Sequence, residues 1–202
     1  MDEPMEVSRT SMFAAGLMVV SILLAGLSLL LPWFQYEHGY ATSSEPRWVE
    51  HYKVYRDHLA VQTQGYPVLL TPYPEGSDIR YVMNVETLLA GIWILLGIGF
   101  VYSVPRGDAA LGIFAGGLII LIGIIALYYF SSRILESAPE LPQYWRTGGG
   151  TFFSGDGLDL YEDLWSWRVG SGWLALLAAF TSATLGYAVW VLFEGRSNEV
   201  SE

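Results

Sequence analysis

Four stretches of about twenty residues, 12–31, 85–104, 109–130 and 172–193, carry almost no charge. A helix rises about 1.5 Å per residue, so each is long enough to cross roughly 30 Å of hydrocarbon. Lipid offers backbone groups no hydrogen-bond partners, which restricts such segments to helices. The sequence therefore predicts a membrane all-α fold, a four-helix transmembrane bundle. Composition agrees. Hydrophobic residues make up 52% of the 202-residue chain and charged residues 15%, against about a quarter charged in soluble domains.

The intervening segments are very unequal. Residues 105–108, "PRGD", form a short hairpin, whereas residues 32–84 and 131–171 are long loops. The 1–2 and 3–4 loops are expected to form one small extracellular β-rich domain, with the tails 1–11 and 194–202 cytoplasmic. Arg9, Arg106 and Arg196 flank the spans on the hairpin side, and Arg80, Arg133 and Arg168 on the other. The counts balance, but long loops weigh less in setting orientation. A multi-pass cell-membrane protein with cytoplasmic termini is the expectation. Residues 12–31 read as a retained anchor, because the leader "MDEPMEVSR" is acidic and the apolar core exceeds the 7–15 or so residues of a signal peptide.

Pro32 ends the first span. Trp33, Phe34 and Tyr36 after it suit the headgroup zone, as do Trp165, Trp167 and Trp173 before the fourth. Within the first loop, residues 47–73 are rich in Tyr, Val and Thr and are punctuated by Gly65–Tyr66–Pro67, which predicts short strands. "DIRYVMNVE" (78–86) reads as a further strand. The second loop offers one strand around residues 151–153. Asp159, Glu162 and Asp163 are expected to begin a short interfacial helix anchored by Trp165 and Trp167.

This layout of two unequal loops, a tight turn and internal termini resembles that of the claudin and peripheral-myelin-protein superfamily. That family's first loop carries Trp…Gly-Leu-Trp…Cys…Cys. Here Trp33 and Trp48 are present, but neither Gly-Leu-Trp nor any cysteine is. The resemblance implies architecture alone, and barrier or adhesion function does not carry over with it.

Small residues mark the helix contacts. Ala175, Ala178, Ala179, Ser182, Ala183 and Gly186 recur at the spacing of one helix face. In lipid, helices associate by close approach, which small faces permit. Gly112 and Gly116 give the third span a comparable face, which closes the chain's own bundle or, alternatively, receives a partner subunit.

Ionisable residues in a span usually mark an ion or substrate path. The span centres hold none, which argues against an ion-coupled transporter or pump. Glu86, near one end of span two, is expected to snorkel. His38, His51 and His58, flanked by Glu37, Glu50 and Asp57, could hold zinc or copper, although their spacing matches no ligand motif. Asp156 and Asp159 could hold calcium on a glycine-rich turn. The expectation is no cofactor and, more readily than an enzyme, a scaffold or accessory subunit that assembles laterally. Its partners would be lipid and copies of itself or a larger membrane complex. The exposed-loop aromatics, Trp48 among them, fit association. A metal-dependent enzyme or metal-handling subunit is one alternative, and an oligomeric pore or lipid-binding protein another. A net charge of −10 without a basic stripe excludes nucleic acid as a partner.

Overall fold

The computed structural model describes residues 8–40, 47–139, 141–142, 145–159, 161 and 163–194. Its elements in chain order are helix α1 (Arg9–Ser28), strands β1 (Phe34–Tyr40), β2 (Arg47–Val54), β3 (His58–Thr63) and β4 (Leu69–Pro72), and helix α2 (Asp78–Ser103). A 3₁₀ turn (Val104–Arg106) leads to α3 (Ala109–Ser137), followed by β5 (Trp145–Gly150), β6 (Ser154–Asp159), β7 (Asp163–Val169) and α4 (Ser171–Glu194). All four α-helices are long and apolar enough to cross a membrane. The chain divides into two compact units.

The first unit gathers the described parts of Met1–Gly26, Leu89–Ala126 and Ala175–Glu202. Its core is Ala14, Met18, Trp93, Phe100, Ile119, Ala179, Ala183 and Trp190 among others. The small face of α4 meets α1: Ser182 donates to the Leu17 carbonyl (2.8 Å), and a Cβ on Gly186 would lie 3.0 Å from the Ala14 carbonyl oxygen. Ala178 faces outward, off this contact. The glycines of α3 are filled differently. A Cβ on Gly112 would strike the Trp190 ring at 2.4 Å, and one on Gly116 the Tyr187 ring at 2.2 Å. Aromatic rings of α4 occupy the face that could have received a partner subunit. The hairpin turns through Gly107, left-handed at φ 69°, and Asp108 caps α3 by accepting from the Leu111 amide (3.0 Å).

The second unit gathers the described parts of Leu27–Leu88 and Leu127–Leu174. It holds a seven-stranded antiparallel sheet of order β4-β3-β2-β1-β7-β6-β5. The first loop supplies four strands and the second three, joined where β1 pairs β7. Three expectations are corrected here. The second loop yields three strands instead of one, and residues 151–153 are the turn between two of them. Asp159 and Asp163 lie on β6 and β7 instead of opening a helix, while Glu162 lies outside the described residues. Residues 78–86 are the first turns of α2: Ile79, Val82, Met83 and Glu86 are all buried, at helical spacing. The spans shift too, α1 ending at Ser28 and α3 running on to Ser137.

The sheet is two-faced. One face carries Phe34, Tyr36, Tyr52, Val54, Leu59, Trp165 and Trp167, all buried. Tyr36 stacks on Tyr52 at 4.7 Å. On this face β6 presents glycine where β7 presents tryptophan: Gly155 is paired with Trp167 and Gly157 with Trp165. A Cβ at Gly155 would meet the Trp167 ring at 2.2 Å. The belt reading of Trp33, Trp165, Trp167 and Trp173 is corrected accordingly, since these rings are core. Trp33 is fully buried and its indole donates to the Ser28 carbonyl (2.7 Å). Its ring meets Phe130 edge-on, and Phe130 continues through Phe152 to Trp173.

Candidate functional site

Between β1 and β2 an accident of sequence becomes geometry. Each strand contains Glu-His, and antiparallel pairing sets Glu37 opposite His51 and His38 opposite Glu50. Alternation then sends one histidine–carboxylate pair to each face.

On the aromatic face, His38 lies between two carboxylates. Its Nδ1 is 3.2 Å from Glu50 Oε2 on β2, and its Nε2 is 3.4 Å from Asp163 Oδ2 on β7, the latter outside hydrogen-bond geometry. The ring stacks on Trp165 at 4.5 Å. Tyr52 donates to the same Glu50 oxygen (2.6 Å). The His38 Nδ1 is engaged by Glu50, while its Nε2 is buried and, among the described residues, has no hydrogen-bond partner. What the imidazole can do is bind a strand of the first loop to a strand of the second.

The opposite face is polar, and two grooves lined by described residues lie on it. The first, about 180 Å³, is lined by His51, Lys53, Tyr55, His58, Gln62 and Leu70, among others. His51 Nδ1 lies 3.1 Å from Glu37 and His58 Nδ1 lies 2.7 Å from Asp57. The His58 hydrogen bond, above all, holds the Asp57 carboxyl below the ordinary carboxylate range. Nearby, Tyr73 is buried and its hydroxyl lies 2.6 Å from the Tyr55 carbonyl and 2.7 Å from that of His58. Burial, and then the charge of Asp57, push this phenol above its usual value. The second groove, about 440 Å³, is lined by Trp48, Ser154, Asp156, Leu164, Ser166 and Arg168, with Gly155 and Trp167 beside them.

The three sequence-nominated histidines therefore do not converge, His38 occupying one face and His51 and His58 the other. Among the described residues no group of three His, Asp or Glu side chains could hold a metal ion. Asp156 and Asp159, three apart on β6, project to opposite faces. Asp159 is buried and satisfied, accepting from the Tyr161 and Asp163 amides and from the Trp165 indole. It closes the β6–β7 turn.

Glu86 does not snorkel. It is 1% exposed, and among the described residues neither carboxylate oxygen has a hydrogen-bond partner. The Phe130 backbone amide lies nearby, outside hydrogen-bonding geometry.

The second groove was not visible as a motif. Its signal is period two: in "DLWSWRV" the residues Leu164, Ser166 and Arg168 alternate with Trp165 and Trp167. Placing Trp48 there also required the bulge between His38 and Gly39, which sets Trp48 opposite Gly39 and moves it to the polar face.

Compared with known proteins, the chain matches no protein-family model and no curated protein, so its function is argued from this geometry.

Proposed function

We propose that this chain is a non-enzymatic, multi-pass membrane scaffold or accessory subunit. It assembles laterally, with copies of itself or within a larger membrane complex, and presents its sheet as an ectodomain while both termini stay in the cytoplasm. The observation that carries this reading is strand β4. Tyr66, Val68, Leu69 and Leu70 are 52–71% exposed, and β4 is a sheet edge whose outer backbone groups pair with nothing among the described residues. An exposed apolar edge is a template for association.

Bifunctional crosslinking in native membranes tests this, with defined oligomers or defined mixed complexes expected. The chain has no cysteine, so Leu70→Cys gives a clean second probe: disulfide-linked dimers on mild oxidation would identify the second copy as the occupant. A protein that stays monomeric in lipid and in mild detergent, with no crosslinked neighbour, would sink the proposal.

A further inference from the structure

We infer that the groove lined by Trp48, Asp156, Ser166 and Arg168 is a saccharide-binding site, a role that does not depend on the scaffold reading. The side chains are those that recognise sugars. Trp48 is half-buried and lines the groove, and among the described residues no other ring stacks on it. A pyranose presents a C–H face that packs against such a ring, and hydroxyls at its rim. The rim partners are in place. Asp156 accepts, Arg168 donates through a planar fork, and Ser154 and Ser166 do either.

The register fixes their layout. Ser154 is paired with Arg168 and Asp156 with Ser166 across β6 and β7. Strand spacing puts the four side chains on a patch of about 5 Å by 7 Å, the scale of one sugar ring. Asp156 and Arg168 are both exposed, and among the described residues neither has an ion-pair partner, so their hydrogen-bonding capacity is unspent.

Two alternatives fit less well. A peptide binding by strand addition needs a free edge, whereas β6 lies between β5 and β7, and β7 between β6 and β1. Glycoside cleavage needs two carboxylates, and among the described residues lining the groove Asp156 is the single one. The site recognises without cutting.

The test uses the full chain in lipid nanodiscs, applied to an immobilised array of neutral hexose, N-acetylhexosamine and uronic-acid oligosaccharides. The best-bound oligosaccharide is then titrated by calorimetry. A subset of glycans should bind, and Trp48→Ala and Asp156→Asn should each weaken the titrated one by at least about tenfold. His58→Ala, in the other groove, should leave affinity unchanged. Array binding no higher than that of empty nanodiscs would overturn the inference, as would affinity unaltered in both groove variants. Should Trp48→Ala fail to elute as a single species, the exposed Asp156→Asn variant decides.

Discussion

The helical unit and the sheet unit use the same packing device in opposite settings. In the helices, Gly112, Gly116 and Gly123 receive the rings of Trp190, Tyr187 and Phe180. In the sheet, Gly155 lies under the Trp167 ring, and Gly157 is paired with Trp165. What surrounds the device differs. The helices turn Leu23, Leu95, Ile113, Phe114 and Leu185 outward, while the sheet's outer face carries Lys53, Asp156 and Arg168. A glycine–aromatic contact depends on shape and dispersion, so it works whether the outside is greasy or wet. The exposed residues, not the core, tell which solvent each unit expects.

Four changes would break or sharpen this parallel. The largest effect is expected from Trp167→Ala, which empties the space over Gly155 and should cost about 3–5 kcal/mol, read as a lowered midpoint in denaturant. If it cost under about 1 kcal/mol, the sheet half of the comparison would fail. Gly116→Leu forces a side chain into Tyr187 and should destabilise the helical unit by about 1–3 kcal/mol, seen as earlier thermal loss of helicity in detergent. Glu86→Leu should move the other way. Removing a buried carboxyl that has no hydrogen-bond partner among the described residues is expected to stabilise by about 1–3 kcal/mol, and a lowered melting temperature would show that an unseen group satisfies it.

The smallest effect concerns Asp57. Its folded pKa lies below the unfolded value, so its contribution is present above the unfolded carboxylate pKa of about 3.9 and fades as pH falls through the folded one. Because Asp57 is exposed, the effect is slight. Acid titration of the wild type against His58→Ala should show a small extra loss of stability below about pH 4 in the wild type only.

The existence of four helices and their tight hairpin was legible, because twenty uncharged residues admit few conformations and Gly107–Asp108 supplies both a left-handed turn and a cap. Boundaries were not. Residues 78–86 have a strand-like composition, yet their apolar positions recur at helical spacing, and burial favoured the helix. The strands of the first loop followed from composition, but β1 was hidden among aromatics that also suit a headgroup zone. In the second loop the acidic residues of "GDGLDLYED" suggest the start of an interfacial helix, with calcium binding as the alternative. The informative residues were its glycines, which matter only once β7 pairs tryptophans with them. Contacts between residues distant in sequence, such as His38 with Asp163, carry no local signature at all.

The seam between β1 and β7 also bears on how the protein is made. Strand β1 emerges early, but its partner is encoded well over a hundred residues later, just ahead of the final helix. Until then one flank of β1 has bare amides and carbonyls, a hazard for any slow, long-range pairing. Closure must therefore wait for the ribosome to deliver β7. Nascent chains halted before Asp163 should be far more sensitive to protease across β1–β4 than chains halted after Glu194, and equal sensitivity would show that the first four strands mature unaided.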